Sequence, residues 1–150
     1  RGFGQIDRGQ YDVMQPVDYF PGFGFMARRE VFETLNFLDE NFHGYGHEDT
    51  DFCLRATRSG YRVMYVPTAV LWHRGSATIG AYSPRKKYLE AVNSVYFVRK
   101  YGTAAERLRY GFFAGLGLIY ALVVQLLRGN QMAVFAKARG IWDGLRKPMS

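Results

Sequence analysis

The sequence predicts an α/β fold followed by a helical tail, and three observations support this prediction. Apolar runs typical of strands occupy residues 17–27, 61–66 and 69–73. Segments in which apolar residues recur with helical spacing occupy residues 28–35 and 48–59. The chain then continues with long segments of helical character. We expect the strands to belong to a mostly parallel sheet and three helices to follow it.

The predicted strand regions are interrupted by turn residues. In the first, Pro21-Gly22 divides the run VDYFPGFGFMA into two short extended pieces. Farther along the chain, Pro67 separates the run Tyr61–Val66 from the run Ala69–His73. Both later runs are rich in β-branched and aromatic residues, which indicates strands that are half or fully buried.

The predicted helices carry start and stop signals. Gly60 follows the second helix and is a typical C-terminal stop. Ser83 and Pro84 provide an N-cap and a proline at the first helical position of the next helix. That helix is predicted to run to Tyr101, where Gly102 ends it.

The tail contains one uncharged apolar stretch of 18 residues, 110–127, which follows Arg107 and Arg109 and precedes Arg128. That length is the lower limit for a helix that spans a bilayer, and the basic residues on both sides give no orientation. Three interpretations stay open: a helix lying on or partly in the membrane, a buried core or interface helix, and a membrane span. A last amphipathic helix is predicted at residues 132–145.

Charge is unevenly distributed along the chain, whose formal net charge is +7. Residues 1–74 hold 8 Lys/Arg and 10 Asp/Glu, whereas residues 75–150 hold 12 Lys/Arg and 3 Asp/Glu. We expect a reactive site in the acidic part and an anionic membrane surface as the partner of the basic part, although basic residues also keep helical tails soluble. No nucleic-acid-binding module is recognised, so nucleic acid is not an expected partner. The single cysteine, Cys53, excludes an intrachain disulfide, and we expect it to be a small core residue.

The densest polar cluster is residues 43–51, with the sequence HGYGHEDTD. Glycines let a backbone approach a ligand closely, and the N–H groups of a helix N-terminus attract an anion or a hydroxyl. A carboxylate held there beside a second one can serve as a general base. Interaction with the helix dipole is the alternative explanation for Glu48 and Asp49. On the same helix, Asp51 and Arg55 are expected to pair.

Several motifs occur in a characteristic order: Pro21-Gly-Phe-Gly-Phe-Met-Ala-Arg-Arg-Glu-Val-Phe, Phe37-Leu-Asp-Glu-Asn-Phe, Gly46-His-Glu-Asp-Thr-Asp-Phe, Gly60-Tyr-Arg-Val-Met-Tyr-Val-Pro and Leu71-Trp-His73. This ordered set resembles the C-terminal half of family 2 glycosyltransferases, which have the Rossmann-like GT-A fold. It also resembles β-1,4-galactosyltransferases, in which a Gly-Gly-Glu-Asp-Asp-Asp run holds the base. The resemblance implies the C-terminal half of a GT-A domain at 1–102 and a helical, membrane-associating tail at 103–150.

The resemblance implies roles for individual residues. Asp49 would be the base that deprotonates the acceptor hydroxyl, and Glu48 would hold donor-sugar hydroxyls or orient the base. His73 would be a ligand of a divalent metal, Mn or Mg. The substrate-binding residues would be Gly22, Phe23, Gly24, Gly46, His47 and Trp72.

The resemblance also implies an activity: inverting, metal-dependent transfer of a sugar from a nucleotide-diphosphate donor to a cell-surface glycan or a lipid-linked acceptor. The site of action would be the cytoplasmic face of a membrane, since no signal peptide is recognised. In the family, a nucleotide-binding half with an Asp-x-Asp motif precedes this region. Asp49-Thr50-Asp51 has the residues of that motif but stands where the family has its base, so it is not assigned as the nucleotide-binding motif. Because the nucleotide-binding half is then missing from these residues, we expect a fragment that is inactive alone.

Two other functions remain as alternatives. The first is a non-catalytic module that binds a membrane or a partner and needs only residues 103–150. The second is a metal-dependent hydrolase, although the sequence shows no recognised metal-ligand spacing. Its candidate residues would be His43, His47, Asp49, Asp51 and His73.

Overall fold

The computed structural model describes residues 4–80 and 82–149. The described chain is mostly helical and contains one small sheet. Its elements are β1 (Gln15–Pro16), α1 (Arg29–Thr34), α2 (Glu48–Arg58), β2 (Met64–Tyr65), α3 (Pro84–Tyr101), α4 (Ala104–Arg128) and α5 (Gln131–Arg146).

The chain forms two compact units. Unit 1 comprises residues 1–39 and 49–73, and unit 2 comprises residues 40–48 and 74–150. Unit 1 holds α1, both strands and nearly all of α2, and unit 2 holds the three long helices. The domain boundary expected after residue 102 stays a prediction.

The predicted mostly parallel sheet is wrong for the residues described. β1 and β2 pair antiparallel, with Gln15 opposite Tyr65 and Pro16 opposite Met64. Residues 69–73 fit the composition of a strand, but no strand forms there. A strand needs a neighbour for its N–H and C=O groups, and residues 4–80 and 82–149 supply one only for β1 and β2. This part of the chain therefore does not display a Rossmann-like sheet.

The core of unit 1 is aromatic. Phe52 of α2 is buried together with Leu35 and Ala56, and partly buried rings pack around it. Phe20 and Phe25 stack with their ring centroids 4.1 Å apart, and Phe25 lies 6.0 Å from Phe52. The segment predicted as two extended pieces thus supplies rings to the core, and its Pro21–Gly24 turn lies beside the N-terminus of α2.

The helix predictions are confirmed to within a few residues, and the caps predicted for α3 form. Ser83 Oγ accepts a hydrogen bond from the Lys86 N–H at 3.1 Å, with Pro84 in the first turn of α3. α4 begins with a capping box between Thr103 and Glu106 and ends before Gly129, which is left-handed with φ 68°.

Helices α3 and α5 form the main packing contact of unit 2. Gly140 and Gly144, one turn apart on α5, lie directly against the backbone of α3. A Cβ atom built on Gly144 would come within 2.9 Å of the Val92 carbonyl oxygen and 2.8 Å of the Val95 Cβ. The two helices can approach this closely only because these positions lack side chains.

Candidate active site

Asp49 lies in the first turn of α2 and is held by backbone groups. Its Oδ2 accepts a hydrogen bond from the Gly22 N–H at 2.8 Å, and its Oδ1 accepts one from the Thr50 N–H at 2.7 Å. The carboxylate is half-buried rather than enclosed. The structure therefore brings together two residues that the sequence singled out: the candidate base Asp49 and Gly22 of the Pro21–Gly24 turn.

Asp51 and Arg55 form the expected pair, with 2.7 Å between Arg55 Nε and Asp51 Oδ2. The Asp51 side chain is fully buried, so this pair is not the exposed helical pair that spacing alone suggests. The other guanidinium nitrogens of Arg55 donate to the carbonyl oxygens of Leu35 and Phe37. Arg55 thereby ties α2 to the chain that follows α1.

His73 stacks on Phe23, with ring centroids 4.4 Å apart and an interplanar angle of 2°. Both rings are exposed, and Trp72, which precedes His73 in the chain, is 95% exposed. Gly24 lies nearby against the side chain of Leu71, where a Cβ atom would come within 2.8 Å of a terminal methyl group. Two predicted site residues of unit 1, Phe23 and His73, thus contact each other on an exposed surface.

In unit 2, the loop from His43 to His47 is held by α3. The Asn93 side chain is fully buried and donates to the carbonyl oxygens of His43 (3.1 Å) and Tyr45 (2.9 Å). His47 Nε2 lies 2.9 Å from Ser94 Oγ, and φ of His47 is 73°. A left-handed backbone costs energy outside glycine, so these side-chain contacts hold the loop in a strained conformation.

Glu48 begins α2 and is half-buried. Its Oε2 is buried and has no hydrogen-bond partner among the described residues. A buried carboxylate oxygen without a donor is energetically costly.

Asn93 and Ser94 hold the glycine-containing loop and were not among the residues predicted from the sequence. A signal was present: two adjacent polar residues interrupt the apolar run AVNSVYFV of α3. Polar residues on the buried face of a helix need partners, and here the partners are the loop carbonyls and His47.

The described residues do not form a metal-binding set. Within residues 4–80 and 82–149, no group of three His, Cys, Asp or Glu side chains lies close enough to share an ion. His73 stacks on Phe23, and Asp51 is paired with Arg55. The described residues therefore do not provide a complete set of metal ligands, and they do not support the hydrolase alternative.

Cys53 is fully buried in α2, as expected of a core residue. Burial raises the pKa of its thiol above the ordinary value of 9.0, and the negative charge of Asp49 adds to this effect. A thiol with a raised pKa and no exposure is a poor nucleophile.

Residues 7–78 match a family model described as the N-terminal domain of galactosyltransferase. The match supports a similarity of this segment to galactosyltransferase-like glycosyltransferase domains. The match covers just under half of the chain and includes Asp49, the Pro21–Gly24 turn and His73. No curated protein and no solved structure matches the chain. The galactosyltransferase-like segment thus agrees with the expected transferase class, while assignment to family 2 stays a prediction.

Proposed function

We propose that this chain contributes the acceptor-activating part of an inverting glycosyltransferase, with Asp49 as the catalytic base. The observation that carries the proposal is the 2.8 Å hydrogen bond from the Gly22 N–H to Asp49 Oδ2. It fixes one oxygen of a half-buried carboxylate inside a galactosyltransferase-like segment. A base that is already oriented loses less entropy when the acceptor binds.

The proposed reaction is a single displacement. The acceptor hydroxyl transfers its proton to Asp49 as its oxygen bonds to the anomeric carbon of the donor sugar. The bond from that carbon to the diphosphate oxygen breaks, and the nucleoside diphosphate leaves with the bonding electrons. One displacement at one carbon inverts its configuration, so the chemistry needs one base and no covalent sugar–enzyme intermediate.

The other predicted residues have binding roles in this proposal. Glu48, which precedes Asp49 at the start of α2, would hold donor-sugar hydroxyls or orient the base, as the resemblance implies. The exposed rings of Phe23 and Trp72 would contact the apolar face of a sugar. Gly46 and His47 belong to unit 2, and their substrate-binding role remains the one that the resemblance implies.

A divalent metal, Mn or Mg, stays a proposal. His73 could supply only one ligand, and the described residues offer no set that completes the site. No step of the reaction above is therefore assigned to a metal. The acceptor, a cell-surface glycan or a lipid-linked glycan, likewise remains proposed.

The proposal is tested by the stereochemistry of transfer in the full-length protein. A panel of nucleotide-diphosphate sugars is offered, beginning with galactose because the matched family is one of galactosyltransferases. Proton NMR then follows the anomeric configuration of the product from its first appearance. Transfer with inversion is expected. Retention of configuration would contradict a single displacement, and the absence of transfer from every donor would contradict the transferase function.

A further inference from the structure

Helix α4 exposes most of its apolar surface although it belongs to a compact helical unit. Its most apolar 18-residue window has a mean hydropathy of 1.9, and only 6% of that window is buried. The exposed large side chains of α4 are Leu108, Phe112, Phe113, Leu116, Ile119, Tyr120, Leu122, Val123, Leu126 and Leu127. Exposed apolar side chains that follow one another along a whole helix mark an interaction site.

The opposite face of α4 is turned toward the protein. The less exposed residues of the helix include Tyr110, Ala114, Leu118, Ala121 and Gln125, which recur at helical spacing. This stripe faces α3 and α5, both of which contact α4. The free surface of α4 is therefore a wide apolar face on a helix whose other side is already occupied.

Both ends of α4 are attached to the ends of α3. At its beginning, the Arg107 side chain donates to the Arg99 carbonyl oxygen at 2.7 Å, in the last turn of α3. At the end of α4, the Asn130 side chain donates to the carbonyl oxygen of Tyr82, just before α3, at 3.2 Å. The two ends of α4 thus lie next to the two ends of α3.

The hydrogen bonds at both ends of α4 favour a helix that lies in the plane of a membrane over a helix that crosses it. A crossing orientation of α4 would place the two ends of α3 on opposite sides of the bilayer. α3 carries charged side chains, including Lys87, Glu90 and Arg99, and would have to cross as well. Charged groups at the centre of a bilayer are strongly disfavoured, so a crossing orientation conflicts with the packing of unit 2.

We propose that α4 lies in the plane of an anionic lipid bilayer, with its exposed apolar face immersed at the boundary between headgroups and hydrocarbon. The uncharged stretch 110–127 is about 27 Å long at 1.5 Å per residue, and exposed arginines, Arg109 and Arg128, flank it. On α5, Trp142 is exposed with the Arg146 guanidinium 3.9 Å from its ring centroid, a pairing suited to the headgroup region.

Charge favours lipid over a second copy of the chain as the occupant of this face. Residues 75–150 hold 12 Lys/Arg against 3 Asp/Glu. Two such surfaces would repel each other, whereas anionic headgroups attract them. This inference does not rest on the proposed transferase function and can fail independently of it.

Vesicle binding tests the lipid partner. The protein is sedimented with vesicles of phosphatidylcholine that contain phosphatidylglycerol, and binding is expected to be at least tenfold weaker when Leu116 and Ile119 are both replaced by Asp. The matched control is Ile6→Asp with Val13→Asp, the same change at two exposed apolar residues of unit 1. Replacing Arg109 with Gln is expected to weaken binding about fivefold. Equal binding of both double variants, or a dimer in ultracentrifugation that binds no vesicles, would overturn the proposal.

Labelling from outside the vesicles tests the orientation. Ala105→Cys and Arg128→Cys place one thiol near each end of α4, and the buried Cys53 provides a low background. A membrane-impermeant maleimide is expected to label both variants on intact vesicles. Protection of either position until detergent is added would show a crossing helix and overturn the in-plane orientation.

Discussion

Two Arg–carboxylate pairs of unit 1 have the same length and different surroundings. Arg55–Asp51 and Arg29–Glu33 both join Nε to a carboxylate oxygen at 2.7 Å across one helical turn. The Asp51 side chain is fully buried, whereas the Arg29 side chain is 91% exposed. Burial removes the solvent screening that makes an exposed pair weak.

Replacing Arg55 with Ala is expected to lower the free energy of unfolding by about 3–5 kcal/mol, because a buried carboxylate loses its guanidinium partner. Replacing Arg29 with Ala is expected to cost less than about 1 kcal/mol. Urea denaturation measures both. Equal effects would contradict the structural role of Arg55, and Arg55→Lys provides an intermediate case if the Ala variant does not fold.

Cys53 gives a prediction about pH. Its raised pKa means that the folded state keeps the thiol protonated where the unfolded state releases the proton. This contribution to stability is present below the ordinary pKa of 9.0 and is lost as the pH rises above it. We expect slow alkylation of the native protein and fast alkylation after unfolding. Cys53→Ala should lessen the alkaline loss of stability, and rapid native alkylation would contradict the buried thiol.

At the scale of elements, local signals were sufficient for helices and insufficient for strands. The caps at Ser83 and Gly102 lie within a few residues of the atoms they satisfy, so the sequence alone predicted α3. The strand predicted at residues 69–73 does not form, because a strand needs a distant partner strand that local composition cannot specify. Likewise, the Gly22–Asp49 contact joins residues 27 positions apart, and only the resemblance linked them.

The packing of α3 on α5 gives a prediction about glycine. Replacing Gly140 with Ala would force a methyl group against the Tyr88 carbonyl and within 2.9 Å of the Ala91 Cβ. We expect a loss of about 2 kcal/mol in the free energy of unfolding. Gly115 of α4 has no neighbour within 4 Å of a built Cβ, so Gly115→Ala should stabilise by up to about 1 kcal/mol. Destabilisation by both variants would contradict close helix packing as the cause.

At the scale of the whole molecule, the uneven charge of the sequence separates two proposed roles. The acidic first part contains Asp49 and the galactosyltransferase-like segment, and the basic second part contains the exposed face of α4. Composition predicted this division because net charge is a property of long stretches. It could not predict the orientation of α4, which depends on hydrogen bonds at both of its ends.

The rate of sugar transfer by the full-length protein with Asp49 replaced by Asn tests the central claim most directly. The amide keeps the shape of the side chain but cannot take the proton of the acceptor hydroxyl. We predict a fall in kcat of about 10²–10⁴-fold with an unchanged melting temperature. Asp18→Asn, at an exposed position of the same unit, should transfer at the wild-type rate. Wild-type kcat in the Asp49→Asn variant would contradict the assignment of Asp49 as the base.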